Sequence, residues 1–369
     1  MTKPNRYGKQ SLERSLLFLF SISSLLLIIG LISSLKWGQA PVSWSTLYEA
    51  VTFQGHDKAH LYIQTLRLPR ALMACIAGAQ LALAGLLTQL TTKNPLASPH
   101  IFGINAGAAF AVVLGLIAVP GFTNTGSILF AFAGVALGAA LVWSLAGNGR
   151  QQYIRLALAG ITIHFLLASL TEGLIIFNQQ ATDSMIFWLV GSLSHITWKE
   201  IGFILPFFIS GLLLFALMLP SFRLLLVDDE IAAGLGQRVA LVRAVSILLV
   251  IVLAGSAVAL CGPIGFVCLI VPHIARALAG SNLAVLAPLT ALLGGALLVY
   301  ADFIGRFVAF PYESPVGIIT AAIGAPFFIS KGVQRRDEEK EPLTSCRFPS
   351  ADCFSHAVHS RGRCAGSIP

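Results

Sequence analysis

The feature that most constrains this sequence is its succession of apolar runs. From residue 16 to residue 330, weakly charged stretches recur between short polar segments. About 20 apolar residues in a helix cross a ~30 Å hydrocarbon layer, where the backbone must satisfy its own hydrogen bonds. Composition agrees: of 369 residues, 56% are hydrophobic and 11% charged, with mean hydropathy +0.82. Soluble domains carry about 25% charged residues. The pattern predicts an all-α polytopic membrane protein of about ten transmembrane helices. Spans are expected near 16–35, 61–88, 95–119, 127–146, 154–177, 200–220, 241–261, 262–280, 283–306 and 315–332. Residues 1–15 form an N-terminal segment, 16–332 the membrane body and 333–369 a tail. Lys3, Arg6, Lys9 and Arg14 ahead of the first run imitate a signal peptide. "LISSLKWGQAP" offers only a weak small-residue cleavage site, so this run is read as a retained helix.

The net charge of +8 sits in the connections between runs and is not a nucleic-acid signal. With the N-terminus inside, the inner segments hold most of the basic residues, among them Lys93, Arg150, Arg155, Arg223, Arg238, Arg243, Arg276 and Lys331. The outer segments hold Lys36, Lys58, Arg67, Arg70, Lys199 and Arg306. Positive residues favour cytoplasmic loops, which puts both termini on the cytoplasmic side. Against that bias, "LYIQTLRLPRALMACIAG" (61–78) places Arg67 and Arg70 at the outer mouth, on either side of a proline. Arg306 joins them, with Asp302 one helical turn earlier to orient it.

The third span is interrupted early. "TTKNPLASPHIFGINAGAAF" carries Pro95 and Pro99, then Gly103 and Gly107. It reads either as a proline-capped helix start or as a segment beside a conduit, since irregular backbone at membrane depth needs protein or water around it. "AGAQLALAGLLTQLTTKNPLASPHIFG" (77–103) also aligns without gaps on "AGSAVALCGPIGFVCLIVPHIARALAG" (254–280). The offset spans five helices, and an odd number inverts the second copy, so a 5+5 inverted repeat is expected. Gly78, Gly85, Gly255 and Gly262 would let helices approach closely.

No phosphate-cradling loop is present. Gly8-Lys9 is followed by Gln10 and lacks the glycine five positions before Gly8. The body shows no HExxH, paired Cys or Gly-x-Ser-x-Gly motif, so the chain is not expected to be an enzyme, and no cofactor or metal site is expected. Cys75, Cys261 and Cys268 read as small packing residues. Carboxylates deep within spans are sparse, Glu172 in span five and Asp302 near the outer end of span nine, thin support for an ion-coupled carrier. The long inner connection "SFRLLLVDDEIAAGLGQRV" (221–239) groups Asp228, Asp229 and Glu230. Asp228 or Asp229 can cap a short helix that Gly234 and Gly236 end. It is either a solvated connector or a docking element for a soluble partner.

"RLPRAL" (67–72), "KNPLASPHIFGINAGAA" (93–109), "GPIGFVCLIVPHIAR" (262–276), "ADFIGR" (301–306) and "SPVGIITAAIGAPFF" (314–328) together resemble the permease subunit of ABC importers for iron–siderophore complexes and vitamin B12. "IFWLVGSLSHITW" (186–198) and the 91–109 segment look most like the ferric dicitrate branch. The resemblance implies a permease pair, identical or not, two ATP-binding subunits inside and a substrate-binding protein outside. It implies that Arg67, Arg70 and Arg306 receive glutamates of the binding protein. It implies that Asn94 and Leu96 narrow the inner end of the path. It makes 221–239 the coupling segment, with Asp228, Asp229, Glu230, Gly234 and Gly236 seating the ATPase. The cargo implied is a ferric chelate, ferric citrate first; heme or vitamin B12 is the alternative, and an ion-coupled carrier the alternative from another class. The tail after Arg336, which carries Cys346, Cys353, His356, His359 and Cys364, is expected to be disordered, and its Cys/His spacing fits no common zinc site.

Overall fold

In a computed structural model of the chain, residues 6–38, 42–54, 57–147, 152–178 and 188–344 are described. The first helices are α1 (Arg6–Lys36), α2 (Trp44–Val51) and α3 (Lys58–Tyr62). A π-helical turn (Ile63–Arg67) then leads without a break into α4 (Leu68–Thr92). A 3-10 turn (Pro99–Phe102) precedes α5 (Ile104–Ala118), followed by α6 (Asn124–Ala146) and α7 (Gln152–Phe177). The remainder is α8 (Trp198–Leu224), α9 (Asp229–Gly234), α10 (Val239–Cys261), α11 (Val267–Ala279), α12 (Leu283–Val308) and α13 (Val316–Thr344). Among the described residues, 7 helices are long and apolar enough to cross a membrane, and Ile104–Ala118, Val267–Ala279 and Val316–Ser330 are shorter apolar helices. Every expected span has its helix.

The chain divides into two compact units, Met1–Gly324 and Ala325–Pro369. In the first, α4 is the axis. It packs on α12, α10, α11 and α8, and most of its side chains are buried. Its glycines explain the closeness. A Cβ on Gly78 would lie 2.3 Å from the carbonyl oxygen of Gly294 on α12, and one on Gly85 would lie 2.0 Å from that of Cys268 on α11. Backbone therefore meets backbone, as small residues allow in membrane bundles.

The packing follows the expected repeat. Spans two and nine meet as α4 on α12, and their counterparts seven and four as α10 on α6. Spans two and eight meet as α4 on α11, and seven and three as α10 on α5. The third span of each half is cut short. The helix expected from residue 95 begins only at Ile104, because Pro95 and Pro99 remove donors and Gly103 turns the chain at φ +69°. Its counterpart begins at Val267, after Gly262 at φ +73° and Phe266 at φ +66°. Helices of 15 and 13 residues span about 20 Å, less than the hydrocarbon layer. Short, Gly/Pro-interrupted segments at matching places in two halves mark the substrate route in inverted-repeat transporters.

The second unit begins within α13, which continues to Thr344, past the expected boundary at 332. Eight of the eleven residues at 331–341 are Lys, Gln, Arg or Glu, which are good helix formers, so the charge that ended the apolar pattern did not end the helix. Residues 345–369, with the tail's cysteines and histidines, lie outside the described residues.

Candidate functional sites at the two ends of the bundle

One end of α4 carries Arg67 and Arg70; Lys93, at the other, is about 37 Å away along the helix. At the first end, Pro69 follows directly on the π turn, whose widened backbone accommodates its missing N–H and relieves the clash of its ring with the carbonyl one turn back. That local geometry turns both arginines inward. Sequence reasoning placed them on the surface, yet Arg67 is 3% and Arg306 4% exposed.

Asp302, itself buried, gathers two of them. Arg70 Nε donates to its Oδ1 and Oδ2 at 2.9 and 3.1 Å, and Arg306 Nη2 donates to Oδ2. The expected turn-length pairing of Asp302 with Arg306 is present. Arg70 Nη1 also reaches Glu313 Oε2 at 2.6 Å. Arg306 donates to the Ser34 carbonyl at 2.9 Å and its hydroxyl at 3.0 Å, and Arg67 Nη1 to the Leu35 carbonyl at 2.8 Å. These are acceptors in the last turn of α1, whose carbonyls have no helical partner and whose dipole favours a cation. The arginines thus fasten α1 to α4 and α12. They also share a polar cavity of about 120 Å³, lined by Gly38, Tyr62, Leu66, Ser194 and Glu313 beside them. Three guanidiniums against two carboxylates leave a positive surplus there. Glu313 and Ser34 were not singled out from the sequence; an acid in the loop facing an arginine-rich mouth was the available signal for Glu313.

At the other end, Lys93 closes α4 in the left-handed conformation, φ +51°. Asn94 and Leu96 follow in an exposed turn, in which Asn94 Oδ1 accepts the Leu96 N–H at 2.9 Å. The 221–239 connection folds against this turn. Asp228 takes the N-cap position of α9 without a side-chain capping bond and is exposed. Gly234 ends the helix and Gly236 turns back at φ +84°. Gln237 Nε2 closes the loop on the Ser221 carbonyl at 2.8 Å. Asp229 is the acid turned inward, with Lys93 Nζ 3.0 Å from Oδ1 and Arg243 Nη2 3.0 Å from Oδ2. Its partial burial opposes ionisation, but hydrogen bonds from Lys93 and Arg243, with their charges, hold it below the usual aspartate range. Leu226, Ile231 and Leu235 are 52%, 55% and 67% exposed. Solvent-facing leucines and isoleucine clustered on a connection outside the spans fit a contact surface. The sequence reading chose this loop's acids and glycines and missed its apolar residues.

A helical bundle in two related halves, each with an interrupted third span and a polar cluster at either end, defines a polytopic membrane transport subunit. The chain belongs to the FecCD transport family, whose profile matches residues 26–333. It is 43% identical to the Fe(3+)-citrate import system permease protein YfmD of Bacillus subtilis over 315 residues, 85% of this chain and 94% of that protein. It is 38% identical to the Fe(3+) dicitrate transport system permease protein FecD of Escherichia coli over 296 residues, 80% of this chain and 92% of that protein. A solved inward-facing structure of a metal-chelate type ABC transporter superposes with a TM-score of 0.72 at 33% identity, covering 84% of this chain and 97% of that one.

Proposed function

We propose that this chain is the membrane-spanning subunit of an ATP-binding-cassette importer that carries a ferric chelate, ferric citrate first, across the bacterial inner membrane. The observation that carries the reading is similarity over 85% and 80% of this chain to ferric citrate permeases of two bacteria. Residues 16–332 form the permease body and both termini face the cytoplasm, as the basic residues of the connections favour. A second permease copy or homologue completes the path, two ATP-binding subunits hydrolyse ATP, and a binding protein delivers cargo from outside.

Arg67, Arg70 and Arg306 form the docking mouth. Their surplus charge around one cavity suits an acidic side chain of the binding protein. Asn94 and Leu96 narrow the inner end of the path. Asp228, Asp229, Glu230, Gly234 and Gly236 shape the ATPase seat, and Ile231 and Leu235 supply its apolar contact. The test is uptake of labelled iron supplied as citrate, in a host lacking this chain and in the same host with it restored. Uptake should be lost and regained. Unchanged citrate-iron uptake, with heme or cobalamin uptake lost instead, would overturn the cargo.

A further inference from the structure

We propose that Asp229 and Lys93 are the positioning pair that transmits movement of the 226–237 segment to the Asn94–Leu96 turn, with Arg243 as its fixed anchor. The proposal rests on the ATPase-seating reading of that segment. Three observations carry it. Asp228 and Asp229 are adjacent, yet the Asp228 side chain is 88% exposed and lies only at the margin of contact with Lys93, 4.0 Å away, while Asp229 sits 3.0 Å from both Lys93 and Arg243. The Asp229 carboxylate is two-sided: one oxygen faces Lys93 at the end of α4, the other faces buried Arg243 near the start of α10. Lys93 also donates to the Val227 carbonyl at 2.9 Å, so it grips the segment twice. Lys93 is covalently joined to Asn94 and sits in a left-handed conformation that lysine seldom adopts. A shift of the segment past α10 therefore either pulls Lys93, and the turn after it, or breaks this contact. An aspartate is ionised at neutral pH, so the link between Asp229 and the two cations is a charged one.

The test uses the whole complex, with Leu96→Cys as a reporter. Its labelling rate by a cytoplasmic thiol reagent is compared between nucleotide-free and ATP-trapped states. Lys93→Met should keep ATPase co-purification but shrink the nucleotide-dependent change roughly fivefold. Lys93→Arg should restore most of it. Asp229→Asn should give the same loss, and the double variant Lys93→Met with Asp229→Asn should be no worse than either single one, as expected of one link. A full-sized nucleotide response in Lys93→Met overturns the proposal. So does loss of ATPase co-purification in Lys93→Met, which would make the pair a structural prop. Failure of the unaltered chain to bind any ATPase would overturn the seating reading itself, and the link with it.

Discussion

Asp302 is the keystone of the arginine cluster, and Asp302→Asn is the sharpest perturbation of it. The substitution keeps the shape and removes the charge. Arg70 and Arg306, whose side chains are 12% and 4% exposed, would then face an amide that offers one acceptor and presents its own N–H groups to their donors. Removing one partner of a buried ion pair costs about 3–5 kcal/mol, because the remaining charge is stranded out of water. Glu313 also pairs with Arg70 but its side chain is 30% exposed against 2% for Asp302, so water can replace more of what its charge supplies. Asp302→Asn should therefore destabilise several times more than Glu313→Gln. Adding Arg306→Met to Asp302→Asn should recover part of the loss, since one stranded charge goes. The assay is equilibrium denaturation of the purified chain in detergent micelles, followed by far-UV circular dichroism. An Asp302→Asn variant as stable as the parent, or equal losses at Asp302 and Glu313, would refute the buried-cluster reasoning. The same geometry governs docking experiments. Reversing Arg70 puts a carboxylate against Asp302 and Glu313, so lost binding-protein affinity in that variant reports misfolding as readily as docking.

Glu313→Gln raises the positive surplus of the mouth and should tighten docking of the binding protein, more at low salt than at high salt; unchanged affinity at both would remove the docking role. Gly85→Leu should abolish accumulation of folded protein, measured as the monodisperse fraction after solubilisation, because even a Cβ would lie 2.0 Å from the Cys268 carbonyl oxygen. Ile231→Ser with Leu235→Ser should leave the bundle folded but cut ATPase co-purification at least tenfold, a change readable on a pull-down titration. A stop after Thr344 should keep normal uptake, since the family profile ends at residue 333; lost uptake at normal expression would give the tail a role.

Much of the fold was legible because lipid leaves few choices: an apolar run of sufficient length becomes a helix. The repeat was legible from "AGAQLALAG" and "AGSAVALCG", whose glycines do sit at close crossings. The true starts of α5 and α11 were not. Apolar residues run on through "HIFG" and "PIGFV", and the break lies in backbone angles at Gly103 and Phe266 that hydropathy does not register. At the mouth, the charge bias drew attention to the arginines, and turn spacing paired Asp302 with Arg306 correctly. Their burial was hidden, because it depends on α1, a helix distant in sequence, bringing Ser34 and Leu35 carbonyls to them. The 221–239 connection was visible as a run of acids. Which acid turns inward depended on Lys93, 136 positions before Asp229.

The central claim is that this chain provides a path and no motor. The direct measurement is uptake of ferric citrate into proteoliposomes holding the chain with its permease partner, with and without the ATP-binding subunits, in the presence of the loaded binding protein. Uptake should require the ATP-binding subunits and ATP and ignore an imposed proton or sodium gradient. Uptake driven by such a gradient, with the ATP-binding subunits absent, would contradict the account and identify an ion-coupled carrier.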